Sequence, residues 1–193
     1  CVGKKTSENL KTKLLEETLK LNVGPYTDEK SDFGPLNNKA HYEKVLGYID
    51  LAKEEGGKIL TGGNKVTVNG SENGYYLEPT VIEIQDQQCR TNQEEIFGPV
   101  VTIMPFDTEE EVLVMANNVK YGLSATLWTS NIDRTMRVSK KIEAGIVWVN
   151  TWLNRDLRTP FGGVKDSGVG REGGFEALKF FTEPKNICIK YDN

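Results

Sequence analysis

Several scarcities bound what this chain does. It holds three cysteines, Cys1, Cys89 and Cys188, widely separated and odd in number. That spacing fits neither a metal centre nor a disulfide framework, so no metal is expected and a reducing, cytoplasmic setting is the default. The single histidine, His41, confines any histidine-dependent chemistry to one position. As an unpaired residue at a helix start, it reads as a surface or capping residue. No apolar run reaches the length of a membrane span, and no signal-peptide pattern is present. Basic residues are not in excess: 24 Lys and Arg face 28 Asp and Glu. Nucleic acid is therefore disfavoured as a partner. Repeats and low-complexity segments are also missing. The first residue is Cys1 rather than Met, which reads as a fragment or a processed product.

What remains has the composition of a globular protein with a substantial core. Leu10, Leu14, Leu15, Leu19 and Leu21 predict a first helix over Glu8 to Leu21, capped by Thr6 or Ser7 and stopped by Asn22 and Gly24. Tyr42, Val45, Leu46, Ile49 and Ala52 predict a second, closed by Glu54 to Gly56. Short strands follow at Lys58–Thr61, Val66–Val68, Tyr75–Leu77, Thr80–Ile84 and Val100–Met104. Thr108 caps a helix whose first turn carries Glu109, Glu110 and Glu111 and whose inner face is Val112, Met115 and Ala116. Tyr121-Gly122 reads as a turn. Ser124–Thr129 is a strand, Asn131 caps a helix to Ile142, and Gly145–Asn150 is the next strand. This alternation predicts an α/β fold with a mostly parallel sheet flanked by helices. A last helix spans Glu172 to Phe181. Asn186 to Lys190 alternates apolar and polar residues, the pattern of an edge strand that needs a partner.

The run from Asn150 to Glu172 mixes arginine, aromatic and glycine residues as no plain loop requires. Gly168-Val-Gly-Arg-Glu-Gly173 has the spacing of a dinucleotide fingerprint, but a loop precedes it and no β-α-β unit follows. The phosphate-loop pattern fails because Val169 stands where lysine is required. A tight glycine turn that packs the last helix is the better reading. Glu94 and Glu95 beside Phe97-Gly98-Pro99 read either as a solvated turn or as a carboxylate and an aromatic lining a cleft.

Taken together, Glu54-Glu-Gly-Gly-Lys-Ile-Leu-Thr-Gly-Gly63, Gly74-Tyr-Tyr-Leu-Glu-Pro-Thr80, Glu94-Glu-Ile-Phe-Gly-Pro99, Gly145-Ile-Val-Trp-Val-Asn150 and Pro160-Phe-Gly-Gly-Val-Lys-Asp-Ser-Gly168 resemble the aldehyde dehydrogenase superfamily. The Thr151-to-Pro160 segment is similar to the 2-aminomuconate and 2-hydroxymuconate semialdehyde dehydrogenase branch. In such enzymes a cysteine attacks the aldehyde, hydride passes to NAD or NADP, and a glutamate activates the hydrolytic water. The resemblance implies that Glu95 hydrogen-bonds the nicotinamide ribose and that Phe97 packs beside the nicotinamide. It implies that Asn150 supports the catalytic loop and that Thr151, Leu153 and Arg155 line the aldehyde pocket. Arg155 is the first choice for a substrate carboxylate and Arg158 the second. An ion pair of either arginine with Asp156 is the structural alternative.

The resemblance also implies what is missing. It matches the C-terminal part of the family, so the cofactor-binding domain, the nucleophilic cysteine and the general-base glutamate are expected upstream. Cys1 falls several residues past the nucleophile position, and no catalytic residue is assigned within the chain. Residues 1–175 are expected to be the catalytic-domain portion and 176–193 a tail carrying an oligomerisation strand. The expected function is part of an NAD- or NADP-dependent aldehyde dehydrogenase, homo-oligomeric and inactive as an isolated fragment. The alternative is a truncated homologue serving as a non-catalytic assembly module.

Overall fold

The computed structural model describes residues 1–191. The chain divides into two compact units, Cys1–Met115 and the residues from Ala116 onward. In the first unit β1 (Val2–Gly3) leads directly into α1 (Lys4–Thr18), and α2 (Lys39–Glu54) follows. The strands β2 (Lys58–Thr61), β3 (Lys65–Val66), β4 (Tyr76–Leu77) and β5 (Thr80–Glu83) precede a single helical turn, α3 (Arg90–Gln93). Next come β6 (Val100–Ile103), β7 (Pro105–Phe106) and α4 (Glu109–Asn117), which carries the chain across the division. The second unit holds β8 (Tyr121–Gly122), β9 (Ser124–Leu127), α5 (Ile132–Lys141), β10 (Ile146–Val149), β11 (Val164–Lys165) and α6 (Gly174–Phe181). No helix among the described residues is long and apolar enough to cross a membrane.

The expected α/β class is observed, with the sheet broken into short ladders. β5 sits between β2, antiparallel, and β6, parallel. Thr80, Val81 and Ile82 are all buried, as a central strand covered on both faces requires. Val81 joins Val2 and Ile103 in a cluster against Leu14 and Leu15 of α1. A second cluster forms where Val45 and Ile49 of α2 meet Leu77 of β4. β1 pairs with β7 and β9 with β10, both parallel, while β3–β4 and β8–β11 are antiparallel.

Several expected boundaries are corrected. α1 starts at Lys4, one turn before Glu8, because β1 delivers Gly3 in an extended conformation as its cap. Thr6 and Ser7 therefore lie inside the helix, and neither caps it. The helix stops at Thr18, leaving Leu19 and Leu21 outside it and exposed. Ala116 is exposed rather than inward-facing. Tyr121-Gly122 is not a turn but a strand paired with Val164 and Lys165. α6 begins at Gly174 rather than Glu172. Residues 186–190 make no ladder within the described chain.

The caps of α4 and α5 fall on Thr108 and Asn131 as expected, and α2 is capped by Asn38, for which no cap was expected. The Asn38 side chain accepts from the His41 amide, and the Asn131 side chain accepts from the Arg134 amide. Thr108 Oγ1 accepts from the Glu111 amide while Glu111 returns a carboxylate to the amides of Thr108 and Asp107, a reciprocal cap. At the other end of α4, Asn117 donates to the Lys141 carbonyl and accepts from the Glu143 amide, closing α5 as well.

Glu55, just past α2, organises α3. Its carboxylate accepts from the Arg90 amide at 2.8 Å, the Thr91 amide at 3.1 Å and the Thr91 hydroxyl at 2.5 Å. Burial pushes its titration upward, but these hydrogen bonds outweigh burial and hold it below the ordinary glutamate value. A depressed carboxylate adds stability while ionised, and that stability is lost as pH falls below about 4.3 and through the folded value. Glu55→Gln is expected to lower stability near neutral pH by about 1–2 kcal/mol. It should also flatten the acid limb of a thermal-melt series. An acid limb as steep as the wild type's would exclude Glu55 as its source.

Candidate functional site

The first candidate surface is the loop from Glu94 to Pro99. It lies on α2 through residues spaced three and four apart, which share one helix face. Val45 is fully buried beneath the loop, and a Cβ at Gly98 would stand 2.8 Å from both Val45 methyl carbons. Only glycine allows this approach. Around Val45, three polar side chains hold the loop. The Tyr48 hydroxyl donates to Glu94 at 2.6 Å, and the Lys44 ammonium donates to the Glu95 carbonyl at 2.8 Å. His41 Nε2 bonds the Phe97 carbonyl, and its ring stacks on Phe97 at 5.7 Å between centroids. Arg90 adds two bonds to Glu94, at 2.9 Å each.

The two glutamates therefore differ in role. Glu94 is tied into the scaffold. The Glu95 side chain is exposed and makes no hydrogen bond among the described residues. Phe97 is 72% exposed and adopts φ 57°, a left-handed conformation rare for a bulky residue. A free carboxylate and an aromatic face are thus presented side by side. In the sequence His41 reads as a surface or capping residue, and Lys44 carries no signal of its own. The available signal was the polar series His41, Lys44, Tyr48 along a face whose neighbour Val45 is core.

The second candidate surface follows β10. Asn150 turns the chain at φ 53°. Its side-chain amide donates to the Thr129 carbonyl at 2.8 Å and accepts from the Thr129 amide at 2.9 Å. These bonds tie the start of the loop to Thr129. Thr151 is half-buried and Leu153 exposed, the latter at φ 53°. Trp148 anchors the loop from below, donating to the Asn154 carbonyl at 3.0 Å and meeting Trp152 edge-on.

The structure separates the two arginines. Arg158 is engaged by Asp156 through the Nε and Nη2 edge of its guanidinium, and this pairing holds the Asp156 carboxyl below its ordinary range. The ion-pair alternative thus applies to Arg158. Arg155 instead lies over the Phe161 ring, 4.4 Å from its centroid. It makes no ion pair among the described residues. A stacked guanidinium keeps its N–H edge available for a planar anion.

The glycines beyond this loop serve packing. A Cβ on Gly145 would overlap the Gly162 carbonyl, so the start of β10 runs directly against the turn. Arg171 donates to the carbonyls of Gly163 and Gly170 at 2.7 and 2.8 Å, and Phe161 and Glu172 form a β-bridge. Arg171 thus takes two of the turn's carbonyls, while a cavity of about 350 Å³ opens beside them between Phe161, Gly168 and Phe180. Neither motif cysteine has a nucleophile's setting here. Cys89 is buried, and burial pushes its thiol up, with Glu55 adding to that. Cys188 is exposed on the terminal segment.

The model of the aldehyde dehydrogenase family matches residues 1–187. The chain belongs to the aldehyde dehydrogenase family. Its curated relatives include 2-aminomuconic semialdehyde dehydrogenase of Bos taurus, 49% identical over 96% of this chain and 38% of the relative. Another is 2-hydroxymuconic semialdehyde dehydrogenase of Pseudomonas sp. (strain CF600), 48% identical over 87% of this chain and 35% of the relative. Among solved structures, a putative aldehyde dehydrogenase from Burkholderia cenocepacia superposes with TM-score 0.90 at 38% identity, covering 94% of this chain and 37% of that one. Betaine aldehyde dehydrogenase from Staphylococcus aureus, solved with NAD+, gives 0.88 at 36% identity, covering 93% and 36%. This aldehyde dehydrogenase chain thus spans well under half the length of the relatives it matches. Its own candidate residues divide between the two units: Glu95 and Phe97 in the first, Asn150, Thr151, Leu153, Arg155 and Arg158 in the second.

Proposed function

We propose that the chain supplies substrate- and cofactor-facing loops to an NAD- or NADP-dependent aldehyde dehydrogenase acting on a carboxylated semialdehyde. Arg155 carries this reading: a guanidinium stacked on Phe161, with no carboxylate partner among the described residues, is suited to a carboxylate on the substrate. The semialdehyde relatives support the substrate class. Arg158, already paired with Asp156, is the weaker choice. Thr151 and Leu153 form the wall beside Arg155 and orient the aldehyde end. Asn150 keeps that wall attached to the sheet.

The residues on the first unit fit a nicotinamide cofactor. Bound NAD or NADP accepts the hydride. Glu95, with both carboxylate oxygens free among the described residues, accepts hydrogen bonds from ribose hydroxyls. Phe97 offers its exposed ring as an apolar wall that keeps water from one side of the reacting ring. The nucleophile and general base are assigned to segments of the relatives' length that this chain does not span.

Two outcomes test this reading. The 193-residue chain alone is expected to form no NADH with any aldehyde, and measurable turnover would remove the need for outside residues. In the full-length enzyme, Arg155→Ala is expected to lower kcat/KM for a carboxylated semialdehyde by roughly 100-fold while a neutral aldehyde loses only a few-fold. Equal losses on both substrates would take the carboxylate role from Arg155.

A second reading, an assembly role, draws on the terminal segment. Phe175, Phe181, Ile187 and Ile189 are all exposed. The alternation of Ile187 and Ile189 suits a strand added to a second copy of the chain. The pair Ile187→Asp and Ile189→Asp is expected to shift the sedimenting species to a smaller oligomer. An unchanged sedimentation coefficient would exclude this segment from assembly.

A further inference from the structure

The ion pair between Asp156 and Arg158 is not accounted for by stability. Its side chains are 44% and 88% exposed, and a pair so open to water adds little to folding. The turn that carries it is held by other means. Thr159 returns its amide and its hydroxyl to the Asp156 carbonyl, at 3.0 and 2.7 Å. The turn also rests on the glycines at the start of α6. A Cβ at Gly173 would stand 2.5 Å from the Thr159 carbonyl oxygen, and one at Gly174 would stand 2.3 Å from that of Arg158. The backbone therefore keeps its shape without the Arg158 guanidinium. What the guanidinium does is occupy a carboxylate. Asp156 accepts from the Arg158 amide at 2.9 Å and from Nε at 2.9 and 3.0 Å, and Nη2 adds a further bond. Both carboxylate oxygens are taken. Asp156 directly follows Arg155, which has no carboxylate partner among the described residues, and no other residue between Asn150 and Phe161 is acidic. A released Asp156 would compete for Arg155 and would repel an anionic substrate there.

We propose that Arg158 is a positioning residue that sets substrate specificity by holding Asp156, so that Arg155 stays free for the substrate carboxylate. This rests on the carboxylate-binding role of Arg155 given above. Arg158 touches no substrate in this role; its effect passes through Asp156. That separates it from a direct contact. A lost contact between Arg158 and substrate cannot be recovered by neutralising Asp156, whereas a lost mask can. Asp156→Asn removes the charge and keeps a side-chain oxygen for the Arg158 amide, so the turn survives the exchange.

The test uses the full-length enzyme with NAD+, one carboxylated semialdehyde and one neutral aldehyde. It compares Arg155→Ala, Arg158→Gln, Asp156→Asn and the double variant Asp156→Asn/Arg158→Gln. Arg158→Gln is expected to raise KM for the carboxylated semialdehyde roughly fivefold, the scale of an exposed charge pair, with kcat held within about twofold. The neutral aldehyde should change by less than about twofold in either parameter. The double variant should return KM for the carboxylated substrate to within about twofold of the wild type, and Asp156→Asn alone should leave it at or below the wild-type value. A double variant that keeps the full rise would refute masking and make Arg158 a direct substrate contact. A rise of equal size on both substrates, or on neither, would overturn the proposal while a selective loss in Arg155→Ala leaves the reading of Arg155 standing. Equal losses on both substrates in Arg155→Ala would bring down that reading, and the proposal with it.

Discussion

Val45 leaves no room for a Cβ on the chain that crosses it. Gly98 meets this requirement, and the consequence extends beyond one contact. With the loop backbone resting on Val45, neighbouring positions on the same helix face come within reach of the loop's carbonyls and carboxylates. His41, Lys44 and Tyr48 occupy those positions. The second unit repeats the device where Gly145 runs against the Gly162 carbonyl. Without that close approach, the turn that ends in α6 could not pack beside β10. Each candidate surface is thus built on a place where a side chain has been removed so that the backbone can be placed.

The strain in the backbone follows the same map. Four residues other than glycine have positive φ: Phe97, Asn150, Leu153 and Lys165. The first three are residues to which the resemblance assigns roles. Left-handed geometry costs roughly 1–2 kcal/mol for an ordinary side chain, so each must be held by its surroundings. The holding contacts are visible for Phe97, by His41, and for Asn150, by both backbone groups of Thr129. For Leu153 the neighbouring anchor is Trp148, which bonds the next residue's carbonyl. Lys165 is held differently, with its ammonium on the carbonyls of Asn117 and Val119 and on Glu143. It belongs to the scaffold.

Local chemistry was legible in the sequence, and long-range pairing was not. The caps at Thr108 and Asn131 were readable because a cap is decided within four residues. β2 was readable from its own short apolar run between a helix stop and two glycines. β1, β7, β8 and β11 were unreadable, since each is two residues long and exists only through a distant partner. Missing β1 then misplaced the start of α1 and its cap. On the functional side, the possibility that an arginine pairs with Asp156 was legible. Which arginine pairs, and that the other stacks on Phe161, depends on loop geometry that spacing cannot encode. The contact of His41 with Phe97 was hidden for a related reason. A lone histidine at a helix start is ordinarily a surface residue, and only the approach of a loop 56 positions away gives it a task.

The side chain of Asn150 reproduces, with its amide, the donor and acceptor pattern of one more strand residue opposite Thr129. It acts as a counterfeit rung: the ladder gains a pair of hydrogen bonds while the main chain is already turning away. The boundary between sheet and loop is therefore one residue wide. Insertions, deletions and exchanges beginning at Thr151 meet a scaffold already closed off behind them. The loop can then vary in length and sequence with the sheet insulated from the change.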